Sequence, residues 1–407
     1  MTTFRHPGTV LTDHTFAVPL DHARPDGERI EVFAREVVAA ERAGDDLPWL
    51  LFLQGGPGHG SPRPIGRDSW LDRALTDFRV LLLDQRGTGR STRITRQRLR
   101  ARGNPQAQAE YLAHFRADAI VRDAELIRQR TAGRPWSVLG QSFGGFCAVT
   151  YLSFAPGGLR DVMITGGLPG LRATADDVYR ATYPRVEARN DAHYARYPGD
   201  AELVRAVVGA LGETDVSVTA FRSLGLALGS STGSHELHYL VEDAFDAPGV
   251  LSDAFLAEVR HRLDLTAAPL YALLHEACYA QGGPTAWAAQ RIRAEFPRFA
   301  SDPALFTGEM IYPETIEPAF AEVAELLAAK DDWPALYDPA RLRDNTVPVA
   351  AAVYYDDMYV DRELSEGTAK AISGARTWVT NEYEHDGLRV SRGAVLDRLI
   401  RMIRDEV

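Results

Sequence analysis

Short apolar runs separated by glycine-containing turns mark the first 170 residues of the chain. The runs occupy 49–53, 80–83, 137–140 and 162–165. Runs without alternation are typical of strands that are buried on both faces of a parallel sheet. Residues 16–20 and 29–39 alternate apolar and polar positions instead, which predicts half-buried strands and an antiparallel start to the sheet.

Between these runs the apolar positions follow a helical period. Residues 116–131 predict one helix, and residues 143–155 predict a second that ends before Pro156 and Gly157. The alternation of strands and helices predicts a doubly wound α/β domain with a mostly parallel sheet.

The strand rhythm is lost in the middle of the chain and returns near its end. Residues 171–335 are rich in Ala, Arg, Glu and Leu and predict helices, whereas strands are predicted again at 347–355 and 377–380. We therefore expect a sheet domain in two parts, 1–170 and 336–407, interrupted by a helical cap at 171–335. A final amphipathic helix carries Val395, Leu396, Leu399, Ile400 and Ile403.

Composition and charge narrow the function classes. The 407 residues are 45% hydrophobic and 25% charged, and 45 Lys and Arg against 56 Asp and Glu give a net charge of -11. Such acidity disfavours nucleic-acid binding. The two cysteines, Cys147 and Cys278, exclude a disulfide framework and a cysteine-rich metal site. The N-terminal segment lacks a signal-peptide pattern and no run of 18 apolar residues occurs, so we expect a cytoplasmic protein without a membrane span, a metal or a cofactor.

A G-x-S-x-G pattern, Gly140 to Gly144, stands between an apolar run and a predicted helix. In a strand–turn–helix elbow the central serine sits on a sharp, strained turn, so the residues two positions away must be small. The helix that follows also favours negative charge that develops near its first residues. The pattern indicates Ser142 as a nucleophile, and a strand–helix turn without chemistry is the alternative.

The apolar run at 49–53 ends in the loop Gln54-Gly55-Gly56-Pro57-Gly58. Acyl transfer needs two backbone N–H donors for the oxyanion of the tetrahedral intermediate. We assign them to Gly56 and to Phe143, the residue after the nucleophile. A plain turn is the alternative, and a phosphate-binding loop is disfavoured because neither G-x-G-x-x-G nor a Walker lysine is present.

A serine nucleophile needs a base, and the base needs a group that orients it. In α/β-hydrolases these residues follow the order Ser, acid, His. His385 is the only histidine after residue 275, and the predicted strand 347–355 is followed by Asp356 and Asp357. We expect His385 to be the base and one of the two aspartates to orient it, a choice that the residues alone leave open.

Together these motifs resemble the prolyl aminopeptidase (proline iminopeptidase) family of α/β-hydrolases. The motifs that carry the resemblance are LQGGPG (53–58), LDQRGTGRS (83–91), LGQSFGG (139–145), YYDDMYV (354–360) and EHDG (384–387). The resemblance implies an α/β-hydrolase fold with a helical cap and a triad of Ser142, Asp356 and His385, with Asp357 as the fallback acid. The chain departs from the family's usual His-Gly-Gly-Pro-Gly by having Gln54 at the first position.

The resemblance further implies a serine aminopeptidase that releases an N-terminal residue, preferably proline, from short peptides. Cap glutamates of the family hold the free N-terminal ammonium, and the matching residues here are Glu276 in LLHEACYA and Glu309 in FTGEMIYP. We expect thiol reagents to block the substrate if Cys278 lies in the same pocket. An esterase, amidase or lactonase on the same scaffold is the alternative activity, and a catalytically silent binding module is the alternative from another class. The sequence predicts no oligomeric state.

Overall fold

A mostly parallel sheet of nine strands organises the computed structural model, which describes residues 2–67 and 69–407. In these ranges the strands are β1 (Thr2–His6), β2 (Thr9–Pro19), β3 (Arg29–Ala39), β4 (Trp49–Leu53), β5 (Arg79–Leu83), β6 (Trp136–Gln141), β7 (Leu159–Thr165), β8 (Phe245–Ala247), β9 (Val250–Leu251), β10 (Val349–Tyr354) and β11 (Ala375–Thr380). The order across the sheet is β1-β2-β3-β5-β4-β6-β7-β10-β11, while β8 and β9 form a separate hairpin.

Along this order the pairing of neighbouring strands changes once, from antiparallel to parallel. Strands β1, β2, β3 and β5 pair in antiparallel fashion, and every pair from β5 to β11 is parallel. The antiparallel start and the buried parallel strands are therefore as predicted. The strand β1 was not predicted, because its exposed polar residues carry no burial signal, and β2 begins seven residues before the predicted 16–20.

Helices cover both faces of the sheet and fill the segment between β7 and β10. Within the described residues they are α1 (Ser69–Leu75), α2 (Arg96–Arg100), α3 (Pro105–Leu112), α4 (Ala117–Arg130), α5 (Phe143–Phe154), α6 (Ala175–Arg196), α7 (Asp200–Ala210), α8 (Val218–Arg222), α9 (Gly233–Glu242), α10 (Asp253–Leu263), α11 (Pro269–Leu274), α12 (Ala288–Arg293), α13 (Arg298–Ser301), α14 (Ala321–Ala329), α15 (Pro339–Arg343), α16 (Arg362–Ala371), α17 (Gly387–Val390) and α18 (Ala394–Ile403). Short 3-10 helices occupy Ala40–Arg42, Ala113–Phe115, Pro156–Gly158, Leu211–Glu213, Ser223–Gly229, Glu276–Cys278, Pro313–Thr315 and Pro318–Phe320. Among the helices of the described residues, none is both long and apolar enough to cross a membrane.

Side chains of the parallel strands alternate between two hydrophobic clusters, one on each face of the sheet. In β4, Leu51 and Leu53 join a cluster with α4 and α5, whereas Leu50 and Phe52 join a second cluster with α1 and α18. This is the two-sided burial that a run without polar alternation predicts.

The segment between β7 and β10 contributes to two different cores. Most of its helices pack around a cluster of their own, which includes Tyr183, Phe221 and Phe306. The stretches around α11 and α14 instead join the cluster that covers the sheet. The cap boundaries at 171 and 335 stay a prediction. The structure does show that this segment has a hydrophobic core of its own, in addition to the two clusters on the faces of the sheet.

The strand order brings two carboxyl ends together where the site was predicted. From β4 the chain passes to β5 on one side, and β6 lies on the other side of β4. Such a reversal opens a crevice at the carboxyl ends of the strands, where open α/β sheets bind their ligands. The loop after β4 and the turn after β6 meet in this crevice.

Candidate active site

Ser142 occupies a strained turn between β6 and α5. Its backbone has φ 55° and ψ -126°, a conformation that a residue with a Cβ rarely adopts. Two backbone hydrogen bonds hold the turn, from the Ser142 N–H to the Thr165 carbonyl at 3.0 Å and from the Gly145 N–H to the Ser142 carbonyl at 2.7 Å. The turn thus has the strained form that the elbow pattern predicts for a nucleophile.

Close backbone approach explains the glycines around Ser142. A Cβ at Gly140 would lie 2.4 Å from the carbonyl oxygen of Gly144, and a Cβ at Gly144 would lie 1.9 Å from that of Leu53. Neither contact is possible for a side chain, so both positions require glycine. The turn that carries Ser142 therefore packs its backbone directly against β4 and against the start of α5.

The loop after β4 lies directly against Ser142. A Cβ on Gly55 would approach the Ser142 Cβ to 2.9 Å. Gly56 has φ 139°, and within 2–67 and 69–407 its N–H donates to no backbone carbonyl. The N–H of Phe143 belongs to the first turn of α5, where no intrahelical partner exists. Two unengaged donors thus border the serine, although their use as an oxyanion hole stays a prediction.

His385 pairs with Asp357 and not with Asp356, which corrects the acid that the family resemblance implied. The His385 Nδ1 lies 2.7 Å from the Asp357 Oδ2, and both side chains are buried. Asp356 lies in the exposed turn after β10, where its carbonyl accepts a hydrogen bond from Arg189. The physical reason is the length of that turn, because the chain leaves β10 at Tyr354 and points back into the protein only at the third residue.

The Asp357 carboxylate is oriented by the backbone that follows it. Its Oδ1 accepts hydrogen bonds from the N–H groups of Tyr359 at 2.9 Å and Val360 at 3.1 Å. Its Oδ2 is thereby left for His385. This division of the two oxygens fixes the imidazole with Nε2 as the nitrogen free for chemistry.

Opposing effects act on the pKa of His385. Burial lowers the pKa, but the charge and hydrogen bond of Asp357, together with the charge of Glu309, outweigh it, so that the pKa is raised above its usual value. The Tyr359 ring packs edge-on against the imidazole with ring centroids 4.7 Å apart. Tyr359 was not predicted, although it lies inside the YYDDMYV motif.

The motif at 83–91 supports the loops around Ser142 through buried ion pairs and hydrogen bonds. Asp84 is fully buried, and its carboxylate accepts from the N–H groups of Ser61 at 2.9 Å and Arg90 at 2.7 Å. The Arg86 guanidinium, also buried, pairs with Asp123 of α4 with Nε 2.7 Å from Oδ2. These contacts hold the loops that follow β4 and β5.

Glu276 is buried, and its carboxylate has backbone partners. Its Oε1 accepts from the Ala289 N–H at 2.9 Å and its Oε2 from the Ala288 N–H at 3.1 Å, both at the start of α12. Burial raises the pKa of Glu276, and these bonds together with a hydrogen bond from Thr285 offset only part of that effect. Three donors occupy three of the roughly four lone-pair directions of the carboxylate, which leaves one for a further donor.

Glu309 acts on some of the same aromatic residues as Glu276. The Tyr271 hydroxyl donates to the Glu309 Oε1 at 3.1 Å. Burial raises the pKa of Tyr179 and of Tyr279 well above its usual value, and the charges of both Glu276 and Glu309 add to the effect. The charges of both carboxylates therefore act on the same pair of tyrosines. We call Glu276, Glu309, Tyr179 and Tyr279 the acidic pocket.

A cavity of about 360 Å³ in the cap is lined by the residues on either side of Glu309, Gly308 and Met310. Its lining is mostly apolar and includes Leu224, Leu263 and Met310, together with Tyr271 and Tyr359. Tyr271 contacts Glu309 and Tyr359 contacts His385, so the cavity adjoins both the acidic pocket and the imidazole.

Cys278 is a buried thiol that donates to the Leu274 carbonyl with Sγ 3.4 Å from the oxygen. Burial raises its pKa, and the charge of Arg116 offsets part of that effect. The thiol therefore stays protonated, which makes it a poor target for thiol reagents in the folded state.

Comparisons with known proteins identify the fold and the family of the chain. Residues 48–201 match the family model described as the alpha/beta hydrolase fold. A proline iminopeptidase from Aeromonas sobria is 50% identical over 410 residues, which cover 96% of each chain. A proline iminopeptidase from Aspergillus aculeatus is 34% identical over 432 residues, which cover 98% of this chain and 95% of that one. The solved proline iminopeptidase of Mycobacterium smegmatis has a TM-score of 0.47 at 15% identity, covering 97% of this chain and 100% of that one.

The strand order, the serine at the elbow and the matched family model define an α/β-hydrolase, which confirms the predicted fold class. Identity of 50% along nearly the full length of both chains is far more specific than the fold. The chain belongs to the proline iminopeptidase family.

Proposed function

We propose that this chain is a serine aminopeptidase that releases an N-terminal residue, preferably proline, from short peptides through an acyl-enzyme. The observation that carries the proposal is the buried Asp357–His385 pair, with Glu309 close enough for its charge to act on the His385 imidazole. A carboxylate in this neighbourhood can hold a free ammonium next to the carbonyl that Ser142 attacks. The relatives named proline iminopeptidase support the same activity.

In the proposed first step the Ser142 Oγ attacks the carbonyl carbon of the N-terminal residue. His385 Nε2 takes the hydroxyl proton, and the backbone N–H groups of Gly56 and Phe143 stabilise the oxyanion. The imidazolium that forms is stabilised by Asp357 through the 2.7 Å contact with Nδ1. Collapse of the intermediate breaks the peptide bond, and Nε2 returns the proton to the departing amine.

In the second step water replaces the amine. His385 Nε2 removes a proton from the water, whose oxygen attacks the ester carbonyl, and the proton then passes to the Ser142 Oγ as the acid product leaves. Both steps use the same imidazole and the same two backbone donors. Both also need the Ser142 Oγ, first as the nucleophile and then as the leaving group, so a substitution at Ser142 abolishes the cycle.

Binding of the free amine is proposed for Glu276 and Glu309. The buried Glu276 carboxylate has a raised pKa because it lacks a full countercharge, and a substrate ammonium supplies one. Tyr271 holds Glu309, and the tyrosines of the acidic pocket offer an apolar surface for a pyrrolidine ring.

The activity is tested with three arylamide substrates, prolyl, alanyl and N-acetyl-prolyl, on the wild type and Ser142→Ala. We expect the prolyl substrate to be cleaved fastest, the acetylated one to resist cleavage and Ser142→Ala to be inactive. Equal cleavage of the acetylated and free substrates would refute the aminopeptidase and favour an amidase. Residual turnover by Ser142→Ala would refute the nucleophile.

The amine site is tested by Glu309→Gln and Glu276→Gln. Loss of one charged hydrogen bond should raise KM for prolyl arylamide by about tenfold to a hundredfold. Glu314→Gln is the matched control, because Glu314 is an exposed glutamate of the same segment. Unchanged KM in both pocket variants would remove these glutamates from substrate binding. Glu276→Gln also needs a measured Tm, because the Glu276 carboxylate accepts two backbone hydrogen bonds.

A further inference from the structure

A buried arginine with unused donors lies where the core meets the cap segment. Arg116 immediately precedes α4 and is 3% exposed. Its Nη2 donates to the Ala280 carbonyl, but its Nε and Nη1 have no hydrogen-bond partner within 2–67 and 69–407. Burial lowers the pKa of Arg116, and the Asp118 carboxylate offsets that effect only in part. The guanidinium is therefore a charge without adequate compensation from the protein.

Two further buried donors surround this guanidinium. Arg116 stacks on the Trp333 ring with Cζ 4.6 Å from the ring centroid. Burial raises the pKa of the Tyr337 hydroxyl well above its usual value, and the charge of Arg116 acts in the opposite direction, which places the two side chains near each other. Neither the Trp333 Nε1 nor the Tyr337 Oη has a partner among the described residues.

The chemistry of this set selects its ligand. Guanidinium and indole N–H groups only donate hydrogen bonds, and a phenol hydroxyl that stays protonated can donate as well. A water molecule would need acceptors for its own two hydrogens, whereas an anion needs only donors. An anion also balances the buried charge of Arg116, which water cannot do.

We propose that Arg116, Trp333 and Tyr337 form a binding site for a small monovalent anion of the chloride class. A cavity of about 370 Å³ is lined by Ala280 and Tyr337, so it reaches two of the groups around Arg116 and is the route from solvent that the proposal uses. The site joins three parts of the chain: the start of α4, the residues that follow the 3-10 helix of Glu276, and the segment that leads from α14 to α15. A bound anion therefore stabilises the junction between the cap segment and the sheet, independently of the catalytic groups.

Crystals of the wild-type protein soaked in sodium bromide test the site directly. We expect an anomalous peak for bromide within hydrogen-bond distance of Arg116 and at least one of Trp333 and Tyr337. A peak-free site that holds only water would overturn the proposal, because the donor set would then be satisfied without an anion.

Thermal unfolding tests it in solution, with sodium chloride compared with sodium gluconate at equal ionic strength. The proposal expects the three buried donors to select chloride over the much larger gluconate ion, so chloride should raise the wild-type Tm by about 2–4 °C relative to gluconate. The rise should vanish in Arg116→Met and shrink in Trp333→Phe. The second variant removes one donor and keeps an aromatic ring, so it tests the site even if Arg116→Met does not fold. Arg341→Met, at an exposed arginine, is the control that keeps the full rise. Equal wild-type Tm in the two salts would refute the anion site.

Discussion

Adjacent aspartates give this protein a controlled test of its triad. We expect Asp357→Asn to lower kcat for prolyl arylamide by about 10⁴-fold, or about 5.5 kcal/mol of transition-state stabilisation. Asp356→Asn makes the same chemical change one residue away on an exposed side chain, and should alter kcat by no more than about twofold.

The size of the loss follows from the hydrogen bonds of Asp357. Its Oδ1 accepts from two backbone N–H groups, so in the variant the amide oxygen must take that position. The amide NH₂ then faces His385 Nδ1, where Asp357 Oδ2 lies at 2.7 Å in the wild type. A donor at this point forces the imidazole proton onto Nε2, and the base can no longer accept the proton of Ser142.

Steady-state kinetics and Tm of both variants decide the matter. Normal Tm and a lost kcat in Asp357→Asn, beside near-normal kinetics in Asp356→Asn, are the expected result. If Asp357→Asn kept more than about one-tenth of the wild-type kcat, Asp357 would not be the group that fixes the tautomer of His385. Comparable losses in both variants would show that the charge of the turn, and not the contact with His385, matters.

Three further predictions concern protonation, packing and the thiols. The raised pKa of His385 should place the acid limb of the kcat/KM profile above pH 6.5. In Asp357→Asn burial acts on the imidazole without the countercharge, so the limb should move to lower pH. A limb that does not move would contradict the assignment of Asp357 as the partner of His385. Gly144→Ala should lower the free energy of unfolding by at least about 3 kcal/mol, since its Cβ would lie 1.9 Å from a carbonyl oxygen, whereas Gly44→Ala, with open space around it, should be near neutral in denaturant titrations. Burial raises the pKa of the Cys278 thiol, so mass spectrometry should find no iodoacetamide adduct there before denaturation, and an adduct on the folded protein would be inconsistent with that burial.

Much of the fold follows from periodicity in the sequence. The apolar runs at 49–53 and 137–140 fall on β4 and β6, and the predicted helices 116–131 and 143–155 match α4 and α5 to within about one residue at each end. These elements are buried, so their hydrophobic pattern is set by the core. The strand β1 has no such pattern because most of its side chains are exposed.

The site was less predictable where it depends on the direction of side chains. Ser142 and His385 were predicted from chain order and local context, and both keep their roles as proposals, but neighbouring aspartates in a turn look alike in a sequence. Only the path of the chain after β10 turns Asp357 inward, with backbone donors two and three residues on. Tyr271 and Tyr359 were missed for the same reason, since an aromatic residue that touches a functional group has no pattern that separates it from ordinary core.

The two hydrophobic cores divide the acidic pocket between them. Glu276 is flanked by Leu274 and Ala277 of the cluster that covers the sheet, whereas Glu309 is followed by Met310 of the cap cluster. Loosening of the cap cluster is therefore expected to move Glu309 relative to Glu276, and it would also reach the triad side, because Met358, the residue after Asp357, belongs to the same cluster. We expect such loosening to weaken the grip on the substrate ammonium, because in the proposed site the two carboxylates that hold it rest on different hydrophobic clusters.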